Sequence, residues 1–380
     1  MTIAARAVNA VSSPAVDADR TAIGRWLAFW AAMVALLVLI GGATRLTESG
    51  LSITEWKPVS GVVPPLSATA WAEEFSKYRQ IPQYRLRNAG MTLGEFKTIF
   101  LWEYAHRLWA RLVGVALLVP LVWFAARRRL PRAVRSRLVA LLALLGAQGA
   151  MGWWMVASGL SERTSVSQYR LAAHLAMALV IYLWTVWMSA DLLDGRPAAA
   201  ELLVAPAPSA RVALASLTAL AFVTALSGAF VAGLRAGKIY NTFPTMGAGL
   251  VPPEYGQLVP WWKNVFENPS AVQFNHRVLA STTVLAAVAV WFACGRLSDA
   301  GVARSVRLVL AAAVLQATLG VSALLLGVPV WLGVAHQGGA LLFLTMVLLA
   351  WRASRRRVEW RAHRSGSESE VRPDTETGRA

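Results

Sequence analysis

Cysteine is almost missing from this chain of 380 residues, and the single one, Cys294, excludes both an intramolecular disulfide and a thiolate-based zinc site. Charge is scarce as well. Only 15% of the residues are Asp, Glu, Lys or Arg, where a soluble globular protein carries about a quarter, and 56% are hydrophobic. A water-facing surface of ordinary size cannot be furnished from that composition. Negative charge is scarcest, 20 acidic residues against 37 basic ones, and the net charge of +17 raises the question of nucleic acid.

The placement of the basic residues answers it in favour of a membrane. Apolar runs of roughly 20 residues, enough for a helix to cross about 30 Å of hydrocarbon, occur near 26–45, 103–126, 138–157, 171–190, 212–233, 273–294, 305–327 and 331–351. Of the 37 basic residues, 22 crowd the N-terminus, 127–137, 191–211, 295–307 and the segment after Trp351, which are alternate ends of these runs. Under the positive-inside rule those ends, and both termini, are cytoplasmic. No nucleic-acid partner is implied; the partner of the surface is lipid. The first run lacks a small-residue cleavage site and is read as a retained helix.

The second half repeats the first. Glu103-Tyr104-Ala105-His106-Arg107 aligns with Gln273-Phe274-Asn275-His276-Arg277, Ala173-His174 with Ala335-His336, and Gln148-x3-Gly152 with Gln316-x3-Gly320. Self-similarity over this length signals a duplicated architecture. The expected fold is an all-α polytopic membrane protein, eight transmembrane helices forming two tandem pseudo-symmetric four-helix bundles. Four helices per repeat is an even number, so both bundles have the same orientation about an axis normal to the membrane. The expected divisions are a leader 1–24, a first bundle 25–190 with a long outer loop 46–102, a linker 191–211, a second bundle 212–351 and a disordered tail 352–380. Within the loop, 71–78 and 92–100 carry apolar residues at helical spacing, the latter opened by a Thr92/Glu95 capping box, and both are expected as short helices on the outer surface.

Four of the five histidines, His106, His174, His276 and His336, lie within about a turn of the same, outer end of four different apolar runs. An ionisable residue in hydrocarbon is a functional candidate by default. Spaced 68 and 60 residues apart within the two halves, they make two pairs, each able to ligate a haem iron from both sides. Zinc requires three or four ligands, and a di-iron site requires more carboxylates than Glu103 alone supplies. Arg107 and Arg277, next to His106 and His276, are candidates to hold haem propionates, with lipid headgroups as their other natural partner.

The halves differ one turn before these histidines. Glu103 lies on the face of His106 and is able to do acid–base work or steady a cation, whereas Gln273 is able only to hydrogen-bond. That asymmetry assigns reaction to the first half and a supporting haem to the second. A diheme electron carrier serving quinone, and a haem transporter or chaperone, use the same four ligands and stay open on the residues alone.

Gly41-Gly42-Ala43-Thr44-Arg45-Leu46-Thr47-Glu48-Ser49-Gly50-Leu51-Ser52, Glu55-Trp56-Lys57-Pro58, Pro64-Pro65, Met91-Thr92-Leu93-Gly94-Glu95-Phe96-Lys97 and Trp102 to Arg107 closely resemble the heme A synthase family, as do Gly228 to Gly237, Tyr240 to Met246, Gln273 to Arg277 and Ala335-His336-Gln337. The likeness runs from about residue 25 to 351. It implies two fused four-helix bundles and oxidation of the C8 methyl of heme O to a formyl group through a hydroxymethyl stage. It further implies a resident heme b on His276 and His336, with His106 and His174 flanking the substrate and Glu103 as the site carboxylate. Heme O synthase and the assembling terminal oxidase are the implied partners; the electron acceptor is unspecified, and a homo-oligomer is compatible with the sequence. Some bacterial members carry a cysteine pair in the first outer loop, and this chain is similar to the group without it, so no thiol relay operates here. Arg outnumbers Lys 32 to 5 and the leader carries Asp17 and Asp19. A bacterial inner membrane is therefore expected, with both sites near the periplasmic face.

Overall fold

The computed structural model describes residues 14–57, 60–162, 164–194, 208–295 and 300–368. Among the described residues there are no β-strands, and the chain forms α1 (Pro14–Leu46), α2 (Ala68–Tyr78), α3 (Pro82–Arg87), α4 (Leu93–Ala126), α5 (Arg132–Glu162), α6 (Gln168–Leu193), α7 (Pro208–Leu234), α8 (Lys263–Phe266), α9 (Pro269–Cys294), α10 (Ala300–Leu325) and α11 (Val330–Glu368). Eight of them are long and apolar enough to cross a membrane, one at each expected position. The protein is an all-helical, multi-pass membrane protein.

Helix ends differ from expectation where capping overrides hydropathy. Residues 92–100 do not form a separate surface helix. Thr92 Oγ1 accepts from the Glu95 N–H (3.3 Å) and Glu95 Oε2 from the Thr92 N–H (2.8 Å), the reciprocal cap expected there. No Gly or Pro follows between Phe96 and Glu103, so the helix started at Leu93 runs unbroken into the membrane. The helix expected at 71–78 is α2, started by Ser67, whose Oγ accepts from Ala70 N–H at 3.1 Å. Helix α11 continues past Trp351 to Glu368 rather than giving way at Arg352. Residues 1–13, most of the linker (195–207) and the end of the tail (369–380) lie outside the described residues.

Between apolar helices in hydrocarbon there is no hydrophobic driving force, so close packing and interhelical hydrogen bonds must hold the seams. The α1–α4 seam uses three indoles: Trp26 Nε1 donates to Ala116 O (2.8 Å), Trp30 Nε1 to Val113 O (2.8 Å) and Trp109 Nε1 to Met33 O (3.0 Å). The first has a particular use. Pro120 lies inside α4 and lacks the N–H that would pair with the carbonyl four residues earlier, which is Ala116. Trp26 supplies the missing donor.

Helix α1 packs on α4 and α6, and α5 packs on α4 and α6; in the second half α7 packs on α9 and α11, and α10 on α9 and α11. Across the halves α1 meets α11 and α6 meets α7. One large apolar core, including Leu27, Trp30, Leu117, Leu141, Met188, Leu214, Val306 and Val347, joins the membrane helices of both halves. A second, aromatic core of Tyr78, Phe96, Phe100 and Leu51, with Trp71 and Phe75 against it, seats α2 and the preceding loop on the start of α4.

Candidate functional site

Each of the four histidines lies against a glycine of the neighbouring helix. A methyl group built on Gly41 (α1) would lie 3.5 Å from Cε1 of His106 (α4), and one on Gly228 (α7) 3.2 Å from Cε1 of His276 (α9). The same relation joins Gly152 (α5) to His174 (α6) at 3.1 Å and Gly320 (α10) to His336 (α11) at 2.7 Å. All four histidines are half-buried as residues.

The contacts behind the rings are partly symmetric. Gln148 Nε2 lies 3.3 Å from His174 Nε2, and Gln316 Nε2 lies 3.5 Å from His336 Nε2. Nδ1 of His174 and Nδ1 of His336 are buried with no partner in hydrogen-bond geometry. His276 differs from His106, because Ser227 Oγ lies 2.7 Å from His276 Nδ1. The residue equivalent to Ser227 in the first half is Ile40, which has no polar side-chain atom.

Glu103 is buried, 3% exposed, and its carboxylate is fully occupied. Oε2 accepts from Ser52 Oγ (2.8 Å) and Ile53 N–H (2.9 Å), and Oε1 accepts from Arg107 Nε (3.1 Å) and Nη2 (2.6 Å). A carboxylate has about four lone-pair sites. Arg107 also donates to Ile53 O (3.0 Å) and Glu55 O (3.1 Å), so the pair locks the loop after α1 onto α4. The second half repeats this grip with an amide: Gln273 Nε2 and Arg277 Nη2 both donate to Tyr240 O (2.9 Å each), and Arg277 Nη1 donates to Thr245 O (3.1 Å). No carboxylate faces Arg277 among these partners, and its Nε is buried and unpaired, as is Gln273 Oε1. Arg111 is turned to the loop, with Nη2 donating to Lys57 O at 2.8 Å.

The glycines and Ser227 were not singled out as site residues from the sequence. The signal was present for the glycines, since Gly41 and Gly228, and Gly152 and Gly320, recur in step with the histidines they face. Among the described residues no group of three or more His, Cys, Asp or Glu side chains converges.

These features define a class: a multi-pass membrane protein whose two halves each hold a pair of imidazoles laid against helix backbone. Residues 24–348 match the cytochrome oxidase assembly protein family COX15-CtaA, and the chain belongs to that family. It is 48% identical over 334 residues to the heme A synthase of Parvibaculum lavamentivorans, covering 88% of this chain and 94% of that one. It is 50% identical over 331 residues to the heme A synthase of Bradyrhizobium diazoefficiens (86% and 90%), and 50% identical over 329 residues to that of Rhodopseudomonas palustris strain BisB5 (85% and 88%).

Proposed function

We propose that this protein is a heme A synthase of a bacterial inner membrane, oxidising the C8 methyl of heme O to a formyl group by way of a hydroxymethyl stage. Near-half identity along almost the whole length to proteins of that name supports the reading. The observation that carries it is the repeated histidine pair on glycine, one pair per half.

The residues present fit a haem in each half. Four imidazoles lie against glycines, most closely His336 on Gly320, where an added methyl group would come within 2.7 Å of the ring, and His174 and His336 keep a buried nitrogen without a partner among the described residues. In this reading the two sets of four helices are pseudo-symmetric bundles with both termini cytoplasmic and the histidines near the periplasmic face. His276 and His336 hold a resident heme b, and His106 and His174 flank the substrate heme. The resident haem supplies one-electron transfer.

Glu103 is a fixed negative charge one turn from His106. Its oxygens already accept four hydrogen bonds, two of them from Arg107, and in this reading it steadies positive charge at the substrate from within that pairing. Arg277, with a buried unpaired Nε and no carboxylate partner, is suited to a haem propionate of the second site. Arg107 has four of its five N–H groups committed to Glu103 and the loop, leaving one for a propionate of the first site. Heme O synthase upstream and the assembling terminal oxidase downstream are the partners that this chemistry and the family description imply.

Expression in a host that makes heme O but lacks heme A tests the reading. Pigment extracted from the membranes should contain heme A and its hydroxylated precursor. Heme B alone on the purified protein, with heme O left unconverted in the membrane, would favour an electron carrier instead.

A further inference from the structure

Among the described residues the hydrogen bond behind His276 has no counterpart behind His106. Ser227 Oγ donates to Thr224 O at 2.7 Å, which uses its only proton. At 2.7 Å from His276 Nδ1 the same oxygen is then left to accept, with the hydrogen on Nδ1, which is also the protonation the ring needs if its Nε2 is to ligate iron. The carbonyl of Thr224 also faces this ring. His276 is thus held in the tautomer whose Nε2 has a free lone pair. Thr224 is fixed in turn, its Oγ1 donating to Leu220 O (2.9 Å) and lying 2.8 Å from Thr283 Oγ1.

A metal-ligating imidazole whose second nitrogen donates a hydrogen bond is oriented, and its ligating nitrogen is more basic. In the first half Ile40 stands at the position of Ser227, directly before Gly41 as Ser227 stands directly before Gly228. Its sec-butyl side chain neither fixes the tautomer of His106 nor strengthens it as a donor. The partners of the other two histidines, Gln148 for His174 and Gln316 for His336, are the same in both halves and do not discriminate.

We propose that Ser227 is a positioning residue that makes the second-half haem permanent by fixing His276, and that Ile40 leaves His106 the weaker ligand, as a site that must release its product requires. The inference rests on the assignment of a resident haem to His276 and His336.

The test is made on the full-length protein purified as expressed, with haem content per chain and midpoint potential as readouts. Ser227→Ala should lose haem affinity by about 10–100-fold, the range seen when such partners are removed, and the haem that remains should have a raised potential because its ligand donates less. Ser227→Thr should restore both values, and Ile40→Ser should make the first site retain its haem through purification. Parental haem content and potential in Ser227→Ala would overturn the proposal, as would a loss that Thr fails to restore. His276→Ala separates the two levels of inference. If that variant keeps the full haem content and an unchanged bis-imidazole spectrum, the resident-haem assignment itself fails; if it loses the haem while Ser227→Ala does not, only the role of Ser227 fails.

Discussion

Glu48 and Arg235 occupy equivalent positions in the two halves, just past the C-terminal ends of α1 and α7, and they pair with each other at 2.5 Å. Both have left-handed backbones, φ 58° and 55°, so the two chain reversals are alike while their charges are opposite. Around this pair Arg45 Nη2 donates to Gly233 O (2.8 Å), and the amide of Gln337 fills the space a side chain on Gly42 would need while donating to Val38 O at 3.1 Å. At the other end of the seam Arg352 pairs with Asp191 (2.8 Å) and Asp194 (2.5 Å). Polar contacts thus bind the two halves at both ends and in the middle.

Reversing one member of the outer pair tests its worth. Glu48→Arg should lower the thermal unfolding temperature in detergent, and adding Arg235→Glu should recover most of the loss. A coupling energy of about 0.2–1 kcal/mol is expected for a pair this exposed. A double variant no better than the single one would show that the charges do not couple.

Trp26→Phe leaves the Ala116 carbonyl facing Pro120 with no donor. The expected loss is about 1–3 kcal/mol, that of a buried acceptor left unpaired. Pro120→Ala restores the backbone N–H, so Trp26→Phe should be nearly silent in that background. Equal losses in both backgrounds, measured by unfolding in detergent, would mean the indole acts through bulk alone.

Gly320→Ala puts a methyl group 2.7 Å from His336 Cε1 and must turn the ring. Bound haem, read by the pyridine haemochrome method, should fall by roughly tenfold or more. The equivalent change, Gly152→Ala, should spare the resident haem and reduce heme A output. Loss of resident haem from both variants would contradict separate sites.

Glu103→Gln copies the second half into the first. The amide keeps one contact to the loop but removes the fixed charge beside His106, and heme A formation should fall by about a hundredfold or more with resident haem content unchanged. Normal output would remove Glu103 from the chemistry.

The outer loop should loosen in acid. Lys57 and Lys77 hold the Glu55 carboxyl below its ordinary range through contacts of 2.5 and 3.1 Å, and Lys77 does the same to Glu73 at 2.7 Å. A lowered folded value means the contribution is full above the unfolded value, roughly 4.3 for Glu, and is lost as pH falls through the folded one. Amide exchange in α2, corrected for intrinsic rate, should therefore be flat from about pH 5 to 7 and accelerate below about pH 4. Equal protection at pH 3 and pH 7 would show that these pairs do not brace the loop.

Much of this molecule can be read along the chain. The eight spans follow from apolar length, the histidine pairs from four polar residues recurring at one end of apolar runs, and the start of α4 from Thr92 and Glu95. That the helix opened at Thr92 is the same one that crosses from Glu103 is not legible along the chain, because hydropathy drops at Leu93–Trp102 while helical hydrogen bonding does not. The partners of Glu103 were also out of reach. Ser52 and Ile53 are about fifty positions away, and rotation on a helical wheel shows that Glu103 shares a face with His106 without showing what else comes to that face.

The sequence by itself determined how many helices cross and where the repeat lies, because each depends on local composition and periodicity. Only the tertiary structure decided which backbone each ring lies on, that Ser227 backs His276, that Trp26 answers Pro120 and that Glu48 meets Arg235. In hydrocarbon every apolar face is equally content with lipid, so hydropathy cannot set the rotation of a helix about its axis. Close backbone approach at glycine and the need to pair each buried donor and acceptor set it instead.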